Sequence, residues 1–278
     1  IVVSAVSDGY LSGDIDVLRN IDRGEAHQML AERFRPARRT SVNCFVVFSA
    51  GRIALIDTGC GPYMQPTAGL LPDSLAALGL TTADIDTVLL THMHPDHVGG
   101  LSVVETGEKR FTNAEVCVHE KEMAHWHDAA AHAASKGMQT YFFGPAQNQI
   151  APYRKDALRL FTGGEVFPGV HAVESLGHTP GHTAFLIESN GEQVIVWGDT
   201  IHVQEIQIAR PDVGISFDAD VQMAADSRRA LFDRIASEEI LAAGMHVHFP
   251  GYGRLRQFGD GFELHQEAWV HDLRGTAI

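Results

Sequence analysis

Residues 91–97 read Thr-His-Met-His-Pro-Asp-His, directly after the apolar run Val88-Leu89-Leu90. This run constrains the fold more than any other feature. Three imidazoles and a carboxylate within six residues cannot be absorbed into an ordinary apolar core, because each buried polar group needs a partner. Placed at the end of a buried strand, they form half of a metal site. The remainder of the chain must then return to the same edge with the other half.

The downstream sequence offers three segments of that kind. Gly177-His178-Thr179-Pro180-Gly181-His182, Val196-Trp197-Gly198-Asp199-Thr200 and Met245-His246-Val247-His248-Phe249-Pro250-Gly251 each set polar ligand types beside Gly or Pro after a short apolar run. Imidazole nitrogen and carboxylate oxygen suit zinc and other borderline divalent cations. Gly and Pro allow the sharp turns that let such ligands converge. A lone histidine on a strand would carry little weight, but four segments in this order point to a metal centre.

Composition narrows the class. The chain has 278 residues, 45% hydrophobic and 20% charged, enough for one α/β domain with a large core. The expected organisation is a single domain over 1–278, with 1–40 as an N-terminal arm. No apolar run approaches the roughly 18–20 residues that span a bilayer. A net charge of −14 disfavours nucleic acid and anionic membranes as partners. The only basic concentration, Arg33, Arg35, Arg38 and Arg39, reads as a solvated helix end. Three cysteines, Cys44, Cys60 and Cys117, provide neither a disulfide framework nor a cysteine zinc site. A cytoplasmic location is expected. The start at Ile1 leaves a processed, periplasmic or secreted form open.

The opening, to about Asp14, mixes apolar residues with Gly, Ser and Asp, as short strands and turns do, and the pattern then predicts a helical arm over 15–34 ended by Pro36. Strands are expected at 42–48 and 53–56 around a turn at Gly51, a helix over 73–80, and strands at 88–90 and 115–118. An Ala-rich helix is expected over 120–136, then a long loop or lid with a broken helix over 137–168. Strands follow at 170–173, 184–187 and 194–197, then a helix over 219–236 and a strand-like segment over 240–247. Two similar halves, each with hairpin strands, a ligand-bearing loop and a helix, suggest two mixed sheets packed face to face with helices outside.

Together these motifs resemble the metallo-β-lactamase-fold hydrolase superfamily. The resemblance rests on His-x-His-x-Asp-His at 92–97, Gly-His-Thr-Pro-Gly-His at 177–182, Asp199, the late histidine, and Leu55-Ile56-Asp57-Thr58-Gly59. It covers roughly residues 40–255. His246-x-x-Phe249-Pro250-Gly251, and more weakly the segment from Asp212 to Arg229, resemble its methyl-parathion-hydrolase and lactonase-like branch. The resemblance implies an α/β (α+β) fold, a four-layer αββα sandwich of two mixed β-sheets flanked by helices. It also implies a dinuclear centre. His92, His94 and His178 would hold one cation, Asp96, His97 and His246 the second, and Asp199 would bridge them. His248, of the same strand parity, is the alternative to His246. Asp57 and His182 would support the ligands from behind.

Two divalent ions, zinc first and manganese, cobalt or iron as alternatives, would share a bridging hydroxide that attacks an ester, lactone or phosphotriester. Asp96 and Asp199 would be the catalytic carboxylates. Trp126, Tyr141, Phe142, Phe143 and Phe167 are candidates for the wall of a partly apolar small-molecule pocket. A homodimer is an open expectation. The competing readings are a mononuclear iron sulfur dioxygenase, a glyoxalase-II-like thioesterase or β-lactam hydrolase, and a non-catalytic metal-binding protein.

Overall fold

The computed structural model describes residues 1–35 and 37–268. Two large sheets pack face to face. The first has six strands in the order Val2–Gly13, Arg38–Ser49, Arg52–Ile56, Thr87–Leu89, Glu115–His119 and Leu158–Phe161. Its first three strands are antiparallel and the rest run parallel. The second has seven strands in the order Gly164–Phe167, Val170–Glu174, Thr183–Ser189, Glu192–Val196, Leu241–Ala243, Tyr252–Phe258 and Gly261–Gln266. There, only Glu192–Val196 and Leu241–Ala243 run parallel.

The two-residue period of a strand decides what lies between the sheets. In Arg38–Ser49, Phe45 and Val47 face the second sheet, while Cys44 and Val46 face the helices outside. In Thr183–Ser189, Phe185 and Ile187 face inward, and Ala184 and Leu186 face the helix Val221–Ser237. The three layers of contact therefore come from continuous apolar runs buried on both faces. Helices Leu71–Ala77, Glu120–Trp126 and Met138–Ile150 lie on the outer side of the first sheet through Leu75, Trp126, Phe142 and Phe143.

Several expectations are corrected. Residues 2–13, expected as short strands and turns, form a single twelve-residue strand paired with Arg38–Ser49 from Val2↔Phe48 to Gly13↔Arg38. The helical part of the arm is shorter, Arg23–Glu32, with Asp22 accepting from the Gly24 and Glu25 N–H groups at its start. Pro36, expected to end it, lies outside the described residues. The Ala-rich helix is two helices, Glu120–Trp126 and Ala129–Ala134. The predicted lid over 137–168 contains a regular helix, Met138–Ile150, despite Pro145 within it, followed by strands Leu158–Phe161 and Gly164–Phe167. Phe142, Phe143, Ala146 and Ile150 bury one face of that helix, and tertiary packing overrides the poor local propensity.

Phe185 is fully buried between the sheets, edge-on to Phe161 at 6.1 Å. Phe185→Ala is expected to cost about 3–5 kcal/mol, read as a lower urea midpoint at unchanged slope. An unshifted midpoint would contradict the packing described.

Candidate metal centre

The parallel strands of both sheets end at one edge. Arg52–Ile56 hands on to Asp57, Thr87–Leu89 to His92, Glu192–Val196 to Asp199, and Leu241–Ala243 to His246. Ligand types therefore gather where strand carboxyl ends meet, the usual location of sites in sheets of this kind. His94 and Pro95 open the one-turn helix Pro95–Val98, which carries Asp96 and His97. Proline at the first helical position costs no hydrogen bond.

The convergence is tight. His92, His94, His178 and Asp199 offer one donor atom each within 4.8 Å of one another, and so do Asp96, His97, His246 and Asp199. Asp199 is common to both groups. Its Oδ1 lies 3.0 Å from His97 Nε2 and 3.1 Å from His246 Nε2, and its Oδ2 lies 3.3 Å from His178 Nε2. His94 Nδ1 is 2.9 Å from His178 Nε2. His92 Nε2, His97 Nε2 and Asp199 Oδ1 are buried without a hydrogen-bond partner. Such orphaned atoms are costly unless something else satisfies them. A donor set of imidazoles and carboxylates, turned on one point and left unsatisfied, fits divalent cations.

Three of the imidazoles are aimed by their other nitrogen. His97 Nδ1 donates to Asp57 Oδ2 at 2.7 Å, and His178 Nδ1 to Asp218 Oδ1 at 2.7 Å. His246 Nδ1 donates to the Ser41 carbonyl at 2.7 Å. Asp57 also accepts from the Thr91 N–H and hydroxyl, and holds a left-handed φ of 61°, uncommon outside glycine. His182 lies behind the cluster. It donates from Nδ1 to the Ser175 carbonyl at 2.6 Å and accepts the Asp199 N–H on Nε2 at 2.8 Å. Its position requires Gly198, whose φ is +59 and where a Cβ would stand 2.4 Å from His182 Nε2.

The charges divide the cluster. Burial drives His92 and His94 far below the ordinary imidazole value, with His97 and His178 adding repulsion. Burial also disfavours charge on His97, His178 and His246, but carboxylates outweigh it. Asp199, Asp96 and Asp57 raise His97 well up, Asp199 and Asp218 lift His178 to about 9, and Asp199 and Asp96 lift His246 to about 10. Burial opposes ionisation of Asp199 too, yet His246 and His97 hold it far below the usual carboxylate range. Protons and cations compete for the same nitrogens.

His248 turns away, with Nε2 2.7 Å from Glu205 Oε1, so His246 is the late histidine that joins the cluster. Of the expected pocket aromatics, Phe142 lines the cavity above the cluster, of about 270 Å³. Trp126 and Phe143 line a second cavity of about 250 Å³ that also reaches His94 and His178. Tyr141 is half exposed and donates to the Tyr63 carbonyl. Phe167 is a core residue between the sheets. Arg38, expected on a solvated helix end, lines the first cavity instead.

Sequence reasoning missed three groups. Asp218, inside the segment from Asp212 to Arg229 that resembles the branch only weakly, fixes His178. His202, three residues after Asp199, is buried with Nε2 3.0 Å from Asp199 Oδ2 and stacks on His246 at 5.1 Å; burial keeps it near 4 despite Asp199. Glu122 is completely buried with no cationic partner among the described residues. It accepts from the Met93 N–H at 3.0 Å, the Gly181 N–H at 2.8 Å and Trp126 Nε1 at 2.7 Å. It thereby clasps the ligand loop of each sheet and fixes Trp126, which stands edge-on to His94 at 5.4 Å. Glu122→Gln keeps the shape but turns one acceptor into a donor facing N–H groups. The expected result is a loss of about 1–3 kcal/mol and lower metal content, read by thermal unfolding and elemental analysis. Unchanged metal and stability would refute the clasp.

A family model described as the metallo-beta-lactamase superfamily matches residues 37–243. Among curated proteins, the uncharacterized protein YobT of Bacillus subtilis (strain 168) is 28% identical over 165 residues, covering 59% of this chain and 63% of YobT. The chain thus spans less than two thirds of that relative's length. Among solved structures, the hydrolase AbOPH, described as in the beta lactamase superfamily, is 28% identical with a TM-score of 0.89, covering 96% of this chain and 94% of that one. AidC, described as a dizinc quorum-quenching lactonase in complex with a product, N-hexnoyl-L-homoserine, is 25% identical with a TM-score of 0.90, covering 96% and 95%.

Proposed function

This chain belongs to the metallo-beta-lactamase superfamily, and on that premise we propose that it is a dinuclear metal-dependent hydrolase of an ester, lactone or phosphotriester. The observation that carries the reading is the pair of four-donor groups that share only Asp199, with buried donor atoms left unpaired. His92, His94, His178 and Asp199 hold one cation, and Asp96, His97, His246 and Asp199 the other. Bound there, two divalent cations, zinc foremost, supply the Lewis acidity that makes water a nucleophile at neutral pH and polarises the substrate oxygen.

The chain's own residues do the rest. Asp199 and Asp96 stay ionised through the neutral range, because the surrounding imidazoles hold both well down against the effect of burial. They therefore neutralise cation charge and orient a water by accepting its hydrogen bond, rather than donate a proton. Asp57, Asp218 and the Ser41 carbonyl fix which imidazole nitrogen faces inward. Leu11, Val17, Met64, Met138, Phe142 and Phe217 line the cavity over Asp96, Asp199 and His246. A small, partly apolar substrate fits that wall. The likeness to AidC supports a lactone and the likeness to AbOPH supports the wider hydrolase class.

Chelation should remove hydrolysis of a lactone, aryl ester and phosphotriester panel, and zinc, manganese or cobalt should restore it to different degrees. His94→Ala and Asp199→Asn should abolish turnover and lower metal content, measured on the same samples. Full turnover with normal metal in either variant would overturn the assignment. One iron per chain with oxygen consumption would favour the dioxygenase instead.

A further inference from the structure

We propose that Arg38 determines substrate specificity, receiving a carboxylate that the ester or lactone carries at the end remote from the scissile bond. The inference rests on the hydrolase reading for the scissile bond, and on separate observations for the carboxylate.

Arg38 opens the strand Arg38–Ser49 and stands on the cavity wall that also includes Asp96, Asp199 and His246. A guanidinium has five N–H donors in a fixed fork. Nε donates to the Asp14 carbonyl at 3.2 Å, and Nη1 reaches Thr40 Oγ1 only at 3.4 Å. Nη2 has no acceptor, and the guanidinium pairs with no carboxylate, among the described residues. Burial pushes it below its ordinary value, and Asp96 and Asp14 return only part of that. A partly desolvated cation with no ion-pair partner among the described residues thus faces the cavity.

The opposite strand makes room for it. Gly13 is the residue paired across from Arg38. A Cβ at Gly13 would lie 2.2 Å from Arg38 Nη2, and the nearest atoms it meets all belong to that guanidinium. Gly13 has no left-handed φ, so its backbone does not call for glycine. The missing side chain instead clears a berth for the fork.

The chemistry of the berth selects its occupant. A neutral carbonyl could be met by the Ser12 hydroxyl or the second amide N–H of Gln65 on the same wall without desolvating a charge. A guanidinium fork is matched to a planar oxyanion, which it binds through two parallel hydrogen bonds. Leu11, Met64 and Phe217 supply apolar wall between. The substrate class is therefore an ester or lactone acid with a short apolar spacer.

The test compares two 4-nitrophenyl esters on the zinc-loaded full chain, the hemiglutarate and the butyrate. The ratio of kcat/KM should favour the hemiglutarate by roughly 10- to 100-fold, fall towards one in Arg38→Gln through KM, and partly recover in Arg38→Lys. A ratio unmoved by the substitution overturns the proposal and leaves Arg38 a structural residue of the Asp14 turn. Binding is read separately by calorimetry with N-phenylglutaramic acid and its neutral diamide, neither of which is an ester. The acid should bind about tenfold tighter, with the difference lost in Arg38→Gln. Equal affinities refute the Arg38 inference even if hydrolysis is robust. Failure to hydrolyse any ester, lactone or phosphotriester, with that binding preference intact, refutes the hydrolase reading instead.

Discussion

One carboxylate between crowded imidazoles is the constraint on which the rest depends. Asp199 lies within 3.0–3.3 Å of His97, His178, His202 and His246. Left to themselves, crowded imidazoles would turn their nitrogens towards other partners. They are prevented by a shell of acceptors, each dedicated to one ring: Asp57 for His97, Asp218 for His178, the Ser41 carbonyl for His246. His182 does the converse and grips the backbone of Asp199 itself.

That arrangement cannot be assembled by either sheet alone. Asn43, in the first sheet, donates from Nδ2 to the carbonyls of Gly244 and Val247, on either side of His246. The backbone of the same residue donates to the Met245 carbonyl. Glu122 performs the matching task between the loop of His92 and that of His178. The two sheets are thus joined by apolar packing in the middle and by directed hydrogen bonds at the edge where the ligands stand. The first supplies most of the stability, and the second the geometry.

Much of this was legible in the sequence. Apolar runs gave the central strands, because a strand buried on both faces has few other ways to be written. The ligand motifs were legible because so many coordinating groups in so few residues have little other physical use. The losses have physical causes. Val2–Gly13 mixes apolar residues with Gly, Ser and Asp, and is a strand only because Arg38–Ser49 offers it a twelve-residue partner. Met138–Ile150 carries Gly144 and Pro145 and is held helical by what it buries. Phe167 looked like pocket and is core, since an aromatic side chain reads the same in both settings. Asp218, His202 and Glu122 act through three-dimensional neighbours that no local pattern announces. His202 had a signal, standing three residues beyond Asp199. Glu122 had none.

The cavity is built from two kinds of material. Its floor comes from strand ends locked by the shell of acceptors, where a change in one residue disturbs several. Its walls come from elsewhere: the N-terminal strand, the helix over 138–150 and the segment around Phe217, none of which carries a ligand. Selection can therefore rewrite the walls piecemeal while the floor stays fixed. A lineage with this division of labour can exchange one occupant of the cavity for another by a handful of changes and keep the cluster at its floor intact throughout.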